Sequence, residues 1–249
     1  MKNFKTEIKA KRMLGYWSVL PLSQLHEILA KAGFDFCVVD LEHGTYSFQE
    51  ALEAVIAIKS VGMFALIRPS SHDEKEILRC LELGVDGICI PQVSSKEEAK
   101  AIIDACLYPP QGIRGASGFT RATGYGEQGF KEHTIKSNEK LFISLLIEDK
   151  KGLSAIQEIA SVPGVDSIYF GTYDIANTMN IDNQKSDALN AIISSAISSV
   201  EESDITFGQV AVDVEQYQAL DSRINFVPFG VDCGIFYEGA RALLNQVKK

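Results

Sequence analysis

An α/β fold, a (β/α)8 barrel of parallel strands, is predicted by three features of this 249-residue sequence. Short apolar runs alternate with amphipathic, helix-like stretches, and eight such runs can be counted. The runs are near-continuously apolar rather than alternating with polar residues, which is how strands buried on both faces read. Eight strand–helix units within about 250 residues match a closed barrel forming one domain, with an open doubly wound sheet as the competing arrangement. No Ser/Gly linker or low-complexity block divides the chain, so residues 1–249 are expected to form that single domain.

The runs follow in order. GYWSVL (15–20) opens the series, and DFCVVDLE (35–42) is the second, ending in charge. An amphipathic stretch, SFQEALEAVIAIKSVG (47–62), comes next, with Ser47 where an N-cap belongs and Gly62 at a C-cap position. FALIRP (64–69) is the third run, and DEKEILRCLELGVDG (73–87) follows it with Asp73 at the N-cap position. GICIP (87–91) leads to SSKEEAKAIIDACLYPP (94–110), where Ser95 and Glu98 have capping-box spacing and Pro109 stops the helix. The Gly-rich stretch 109–138 carries Arg114, Phe119, Arg121 and Tyr125 and reads as an active-site loop segment. LFISLLIE (141–148), SIYFGTYD (167–174), TFGQVAV (206–212) and FVPFGVD (226–232) complete the eight.

Composition excludes several functions. Net charge is −9 and the pI is near 5.0, which argues against nucleic-acid and anionic-membrane partners. The five cysteines are odd in number and widely spaced without a C-x-x-C, so neither a disulfide framework nor a zinc site is expected. The N-terminal MKNFKTEIKAKRML has no apolar core of a signal peptide, and no run approaches the length of a membrane span. A cytoplasmic protein is expected.

In a barrel, function gathers at the C-terminal ends of the strands. There the second run ends in Asp40, Glu42 and His43, the third in Arg68, the fifth in Glu148, and the sixth in Gly171-Thr172-Tyr173-Asp174. Glu148 and Asp174 follow neighbouring runs, so the two carboxylates can share one divalent cation, an all-oxygen ligation that suits Mg²⁺ or Mn²⁺. Each serves equally as a cap of the helix that follows it. Arg68 can grip a carboxylate or a developing enolate oxygen, or pair internally with Asp40 or Glu42. His43 titrates near neutrality and Asp40 could orient it, although a histidine beside acids also has purely structural uses. Lysine ends none of the runs, which disfavours a Schiff base, and no nucleotide-binding or nucleophile-elbow motif is present.

FDFCVVDLEHG, LIRP, LELGVDGICIPQVSSKEEA, YPPQGIRG, LLIE and GVDSIYFGTYDIA resemble, in order and spacing, the HpcH/HpaI aldolase/citrate lyase family, over roughly residues 10 to 240. The closer branch is its metal-dependent class II 2-oxo acid aldolases. The resemblance implies reversible cleavage of a 4-hydroxy-2-oxo acid to pyruvate, or a related 2-oxo acid, and an aldehyde. It implies Glu148 and Asp174 as ligands of Mg²⁺, Mn²⁺ or Co²⁺, and Arg68 as the enolate stabiliser. His43, oriented by Asp40, is implied in proton transfer, and the backbone around Gly171, Thr172 and Tyr173 in holding the substrate carboxylate. Glu82 falls where the family often has an aspartate reaching a neighbouring subunit's site. A homo-oligomer is implied, a hexamer or trimer of dimers, with the C-terminal helix (about 237–248) packed on a neighbour. This chain departs from the family at Leu146, where many members have Gln, at Leu41, and at Thr172-Tyr173, where many read Pro-Ala. Two further readings compete: a lyase acting on an acyl-CoA ester, as on the citrate lyase side of the family, and a non-catalytic barrel that has kept the site.

Overall fold

A computed structural model describes residues 3–127, 129–181, 187–200 and 204–248. Eight strands form a closed barrel in sequence order. They are β1 (Met13–Ser18), β2 (Phe36–Asp40), β3 (Phe64–Arg68), β4 (Gly87–Ile90), β5 (Phe142–Ile147), β6 (Ser167–Phe170), β7 (Thr206–Gln209) and β8 (Ile224–Val231). Every neighbouring pair is parallel, including β1 with β8, which closes the ring. This is the (β/α)8 barrel that the alternation predicts.

Helices α1 (Phe4–Ala10), α2 (Ser23–Ala32), α3 (Phe48–Ser60), α4 (Glu74–Glu82), α5 (Lys96–Cys106) and α6 (Phe130–Lys140) lie in the first half of the chain. The second half adds α7 (Lys150–Ser154), α8 (Ile156–Ala160), α9 (Thr172–Thr178), α10 (Asp187–Ser199), α11 (Val214–Ala219) and α12 (Asp232–Val247). Ser47 accepts from the Glu50 N–H while the Glu50 side chain accepts from the Ser47 N–H, a complete capping box. Asp73 caps α4, accepting from the N–H groups of Lys75 and Glu76. Ser95 caps α5 through the Glu98 N–H, but the Glu98 carboxylate accepts from Ser94 instead of closing the reciprocal bond to Ser95. None of the described helices is long and apolar enough to cross a membrane.

Continuous apolar runs are explained by two cores. Alternate strand residues point into the barrel or out to the helices. Phe36 and Val38 of β2 pack inside with Leu66, Phe142 and Phe226, while Cys37 and Val39 pack outside against α3 residues such as Ala51 and Val55. The N-terminal end is plugged by α1. Its Phe4 ring meets Phe36, Phe64, Phe142 and Phe226 edge-on, at centroid distances of 5.4, 5.3, 4.8 and 5.9 Å. A bridge of 2.8 Å from Lys5 to Asp166 ties the plug to the wall. Cys37, Cys80, Cys89 and Cys106 are buried free thiols and Cys233 is exposed, in keeping with no disulfide framework.

One expectation about a loop is corrected. The stretch 109–138 does not border the C-terminal end of the barrel. Arg114 binds Glu82 at the end of α4, the Ala122 N–H donates to the Glu82 carbonyl, and the Arg121 guanidinium donates to the Leu83 carbonyl. The physical reason is chain direction: this segment follows helix α5, and helix-to-strand connections return the chain to the strands' N-terminal ends. Its last part is also helical, as α6.

Candidate active site at the C-terminal end of the barrel

Register builds the first half of the site. Asp40 of β2 stands opposite Arg68 of β3 in the parallel ladder, both as the last residue of their strands. The guanidinium grips the carboxylate with two bonds, Nε to Oδ1 at 2.8 Å and Nη2 to Oδ2 at 2.6 Å. Its third nitrogen, Nη1, lies 3.0 Å from Oε2 of Glu42. The guanidinium also sits 4.5 Å above the Trp17 ring, whose Nε1 donates to the Tyr169 hydroxyl at 3.1 Å. Burial opposes its charge, but the Asp40 bonds and the charges of Asp40, Glu42 and Glu148 hold Arg68 above its ordinary pKa. Two of its five N–H groups are hydrogen-bonded, both to Asp40, and Nη1 faces Glu42 as an ion pair.

Asp40 does not reach the His43 imidazole. Its Oδ1 also accepts the backbone N–H groups of Glu42 and His43, at 3.0 and 3.3 Å. The orientation of His43 by Asp40 therefore runs through the turn of backbone and not through a ring hydrogen bond. The exposed His43 side chain lines the cavity, and its ring makes no hydrogen bond among the described residues.

The second half of the site comes from β4, β5 and β6. Glu148 follows β5, and its Oε2 accepts the backbone N–H of Gln92 at 2.9 Å. Gln92 has a left-handed backbone, φ 58°, an uncommon conformation outside glycine. Its side-chain amide donates to Glu42 Oε1 at 3.0 Å. Gln92, which closes the fourth apolar run, thus holds both carboxylates. Burial raises the Glu148 carboxyl to about 7; Glu42 and then Asp174 add to the rise, while Arg68 and the Gln92 N–H oppose it. The helix after Glu148 is capped by its neighbour Asp149, which accepts from Gly152 at 2.6 Å, so Glu148 is free of the capping role.

Gly171 starts α9, which places Tyr173 and Asp174 in a first helical turn instead of a strand end. The change of direction occurs at Gly171, where a Cβ would lie 2.6 Å from Glu148 Cγ. Any side chain there would displace the carboxylate. Asp174 is exposed and makes no hydrogen bond or ion pair among the described residues. The first N–H groups of α9 have no partner within the helix and are available to an anion.

These residues surround a cavity of about 340 Å³. One side carries Asp40, His43, Arg68, Glu148, Asp174 and the Gly171–Tyr173 turn. The other is apolar: Trp17, Val19, Leu146, Tyr169, Val210 and Val231. Glu82 is not brought here. At the end of α4, it lies at the barrel's N-terminal end, 3.1 Å from the buried Arg114, so it contributes nothing to its own chain's cavity.

The donor set suits a divalent cation. Four carboxylates, Asp40, Glu42, Glu148 and Asp174, stand near one arginine, and Glu148 is raised first by burial and then by the charges of Glu42 and Asp174. Among the described residues no group of three or more His, Cys, Asp or Glu forms a closed metal cage. Two carboxylates with water and substrate oxygens are what a small hard cation accepts.

The model of the HpcH/HpaI aldolase/citrate lyase family matches residues 13–238. The chain belongs to this family. A pyruvate aldolase of Rhizobium etli is 32% identical over 247 residues, covering 98% of this chain and 96% of its own length. A 5-keto-4-deoxy-D-glucarate aldolase of Escherichia coli is 32% identical over 254 residues, covering 99% and 96%. Among solved structures, a family protein from Burkholderia cenocepacia superposes with a TM-score of 0.90 at 20% identity, over 98% of both chains, a likeness of fold.

Proposed function

We propose that this family member is a divalent-metal-dependent aldolase that reversibly cleaves a 4-hydroxy-2-oxo acid to pyruvate, or a related 2-oxo acid, and an aldehyde. Family membership and aldolase relatives along nearly the whole chain make it a carbon–carbon lyase of the aldolase type. The names of those relatives supply the 2-oxo acid class. The observation that carries the metal is the surplus of carboxylates around Arg68, with Glu148 raised to about 7.

Glu148 and Asp174 would hold Mg²⁺ or Mn²⁺, with Co²⁺ as a substitute. Such a cation supplies Lewis-acid polarisation of the 2-oxo group. Arg68 would offer N–H groups not bound to Asp40 to the oxygen that becomes negative in the enolate, as a donor held in place by Asp40. Asp40 and Glu42 keep the guanidinium in place. His43, at the mouth of the cavity, takes the proton from the 4-hydroxyl in cleavage and returns it in addition. The N–H groups after Gly171, at Thr172 and Tyr173, receive the substrate carboxylate. An acyl-CoA substrate finds no support, since Arg68 is the one Lys or Arg lining the cavity among the described residues.

The assembly is a homo-oligomer, a hexamer or trimer of dimers, in this reading. Helix α12 supports it. Phe236, Tyr237, Leu243, Leu244 and Val247 on this helix are all exposed, an apolar face without cover in one chain. The helix starts at Asp232, earlier than the expected 237. Glu82, away from its own cavity, would act only in a neighbour's site. The reading sets the enzyme in the cytoplasm, in keeping with its buried free thiols.

The test is a retro-aldol screen. A panel of 4-hydroxy-2-oxo acids is incubated with protein and Mg²⁺ or Mn²⁺, and pyruvate is read by coupling to lactate dehydrogenase. Pyruvate release from at least one member is expected; none from any member would contradict the proposal.

A further inference from the structure

The cavity is divided by chemistry, and the division bears on the aldehyde. Its carboxylates, Arg68 and His43 all lie toward β2, β3, β5 and the start of α9. The wall supplied by β1, the end of β7 and β8 is Trp17, Val19, Val210 and Val231, with Leu146 and Tyr169 beneath. Trp17 Nε1 is spent on the Tyr169 hydroxyl. Leu146 offers no hydrogen bond, and it is buried.

We infer that this wall receives the acceptor aldehyde, and that the acceptor is an uncharged aldehyde with an apolar substituent, not one bearing a second carboxylate. The inference rests on the aldolase reading and deepens it.

Charge decides against the second carboxylate. Arg68 is the cavity's one Lys or Arg among the described residues, and its charge is already matched by Asp40 and Glu42. A divalent cation is consumed in balancing Glu148, Asp174 and that acid's own carboxylate. A carboxylate at the far end of the aldehyde would lie among Val19, Val210 and Val231, which offer it no charge, and burying an unpaired anion is costly. A hydroxyl is rejected less strongly, because an apolar pocket discriminates poorly against one added hydroxyl.

The reaction balances without any further reagent. In the addition direction a proton leaves C3 of pyruvate, C3 bonds to the aldehyde carbon, and the aldehyde oxygen takes up a proton. Nothing is oxidised or reduced.

The experiment compares butanal with succinic semialdehyde, its analogue carrying a terminal carboxylate, as acceptors for pyruvate with Mn²⁺ present. Product is followed by NMR. Exchange of the pyruvate methyl protons in D2O, with no acceptor, is measured alongside. Exchange reports C3 deprotonation and does not involve the acceptor wall. The expected result is exchange together with a kcat/KM for butanal about 100-fold or more above that for succinic semialdehyde. Exchange with equal or reversed preference overturns the inference and leaves the aldolase reading standing. Absence of exchange overturns both. Val210→Lys places a cation on the wall and should move the ratio toward succinic semialdehyde by about tenfold or more, with an unchanged circular dichroism spectrum showing an intact fold. An unchanged ratio in that variant would mean that the wall does not meet the acceptor.

Discussion

Gln92 donates its backbone N–H to Glu148 at 2.9 Å from a left-handed conformation, φ 58°, while its side-chain amide binds Glu42 at 3.0 Å. One strained residue therefore sets the positions of two carboxylates. Strain of this kind persists where surrounding structure enforces it, and it concentrates at functional sites. Gln92→Gly keeps the N–H and removes the strain, whereas Gln92→Val keeps the N–H and adds a β-branched side chain in the left-handed region. The valine variant is expected to be about 1–2 kcal/mol less stable than the glycine variant in chemical denaturation. Equal stability of the two would count against the strain.

Arg68 is held bidentately by Asp40, flanked by Glu42 and stacked on Trp17. Lysine reproduces the charge but neither the fork nor the stack. Arg68→Lys should lower kcat for retro-aldol cleavage by about 100-fold or more, as loss of a preorganised donor does. Steady-state rates within a few-fold of the parent would remove Arg68 from enolate stabilisation.

The His43 ring lines the cavity and is not held by any hydrogen bond among the described residues, so it is free to move a proton. His43→Ala is expected to reduce kcat by about 10²–10⁴-fold. Its affinity for Mn²⁺, measured by isothermal titration calorimetry, should be unchanged, because Glu148 and Asp174 remain. Full activity would leave His43 a structural residue.

Glu148 gives the metal-free protein a distinctive pH response. Its carboxyl rises from an ordinary 4.5 to about 7 on folding. Below 4.5 both states carry the proton and nothing is lost. Between 4.5 and about 7 the unfolded chain loses its proton first, so stability falls as pH rises through this window. The loss is about 1–3 kcal/mol. Glu148→Gln removes it. Melting temperatures in EDTA should diverge between parent and variant from pH 5 to pH 8, with the variant the more stable at the upper end. Parallel curves would contradict the raised pKa.

The barrel was legible because buried parallel strands are continuous apolar runs, and because strands alternate with helices. The individual site residues were legible as types at strand ends, but their partnerships depend on register. Asp40 and Arg68 meet because β2 and β3 pair them directly, which no local spacing encodes. Glu42, undecided from sequence, is fixed by Arg68 and Gln92. Gln92 stands at a strand end in the sequence, but glutamine carries no signal for positive φ, so its hold on two carboxylates was not legible. The stretch 109–138 misled because its glycines read as a site loop, while its position after a helix sends it to the other end. The few apolar residues in FKEHTIKSNEK also hid α6.

The central claim is that Glu148 and Asp174 hold a cation on which carbanion formation depends. Its most direct measurement is the exchange of pyruvate methyl protons in D2O by protein stripped with chelator, before and after Mn²⁺ is returned. Exchange should fall to the protein-free rate on stripping and recover with the metal, and should not recover in Glu148→Gln. Exchange that continues unchanged in the chelated protein would contradict the account.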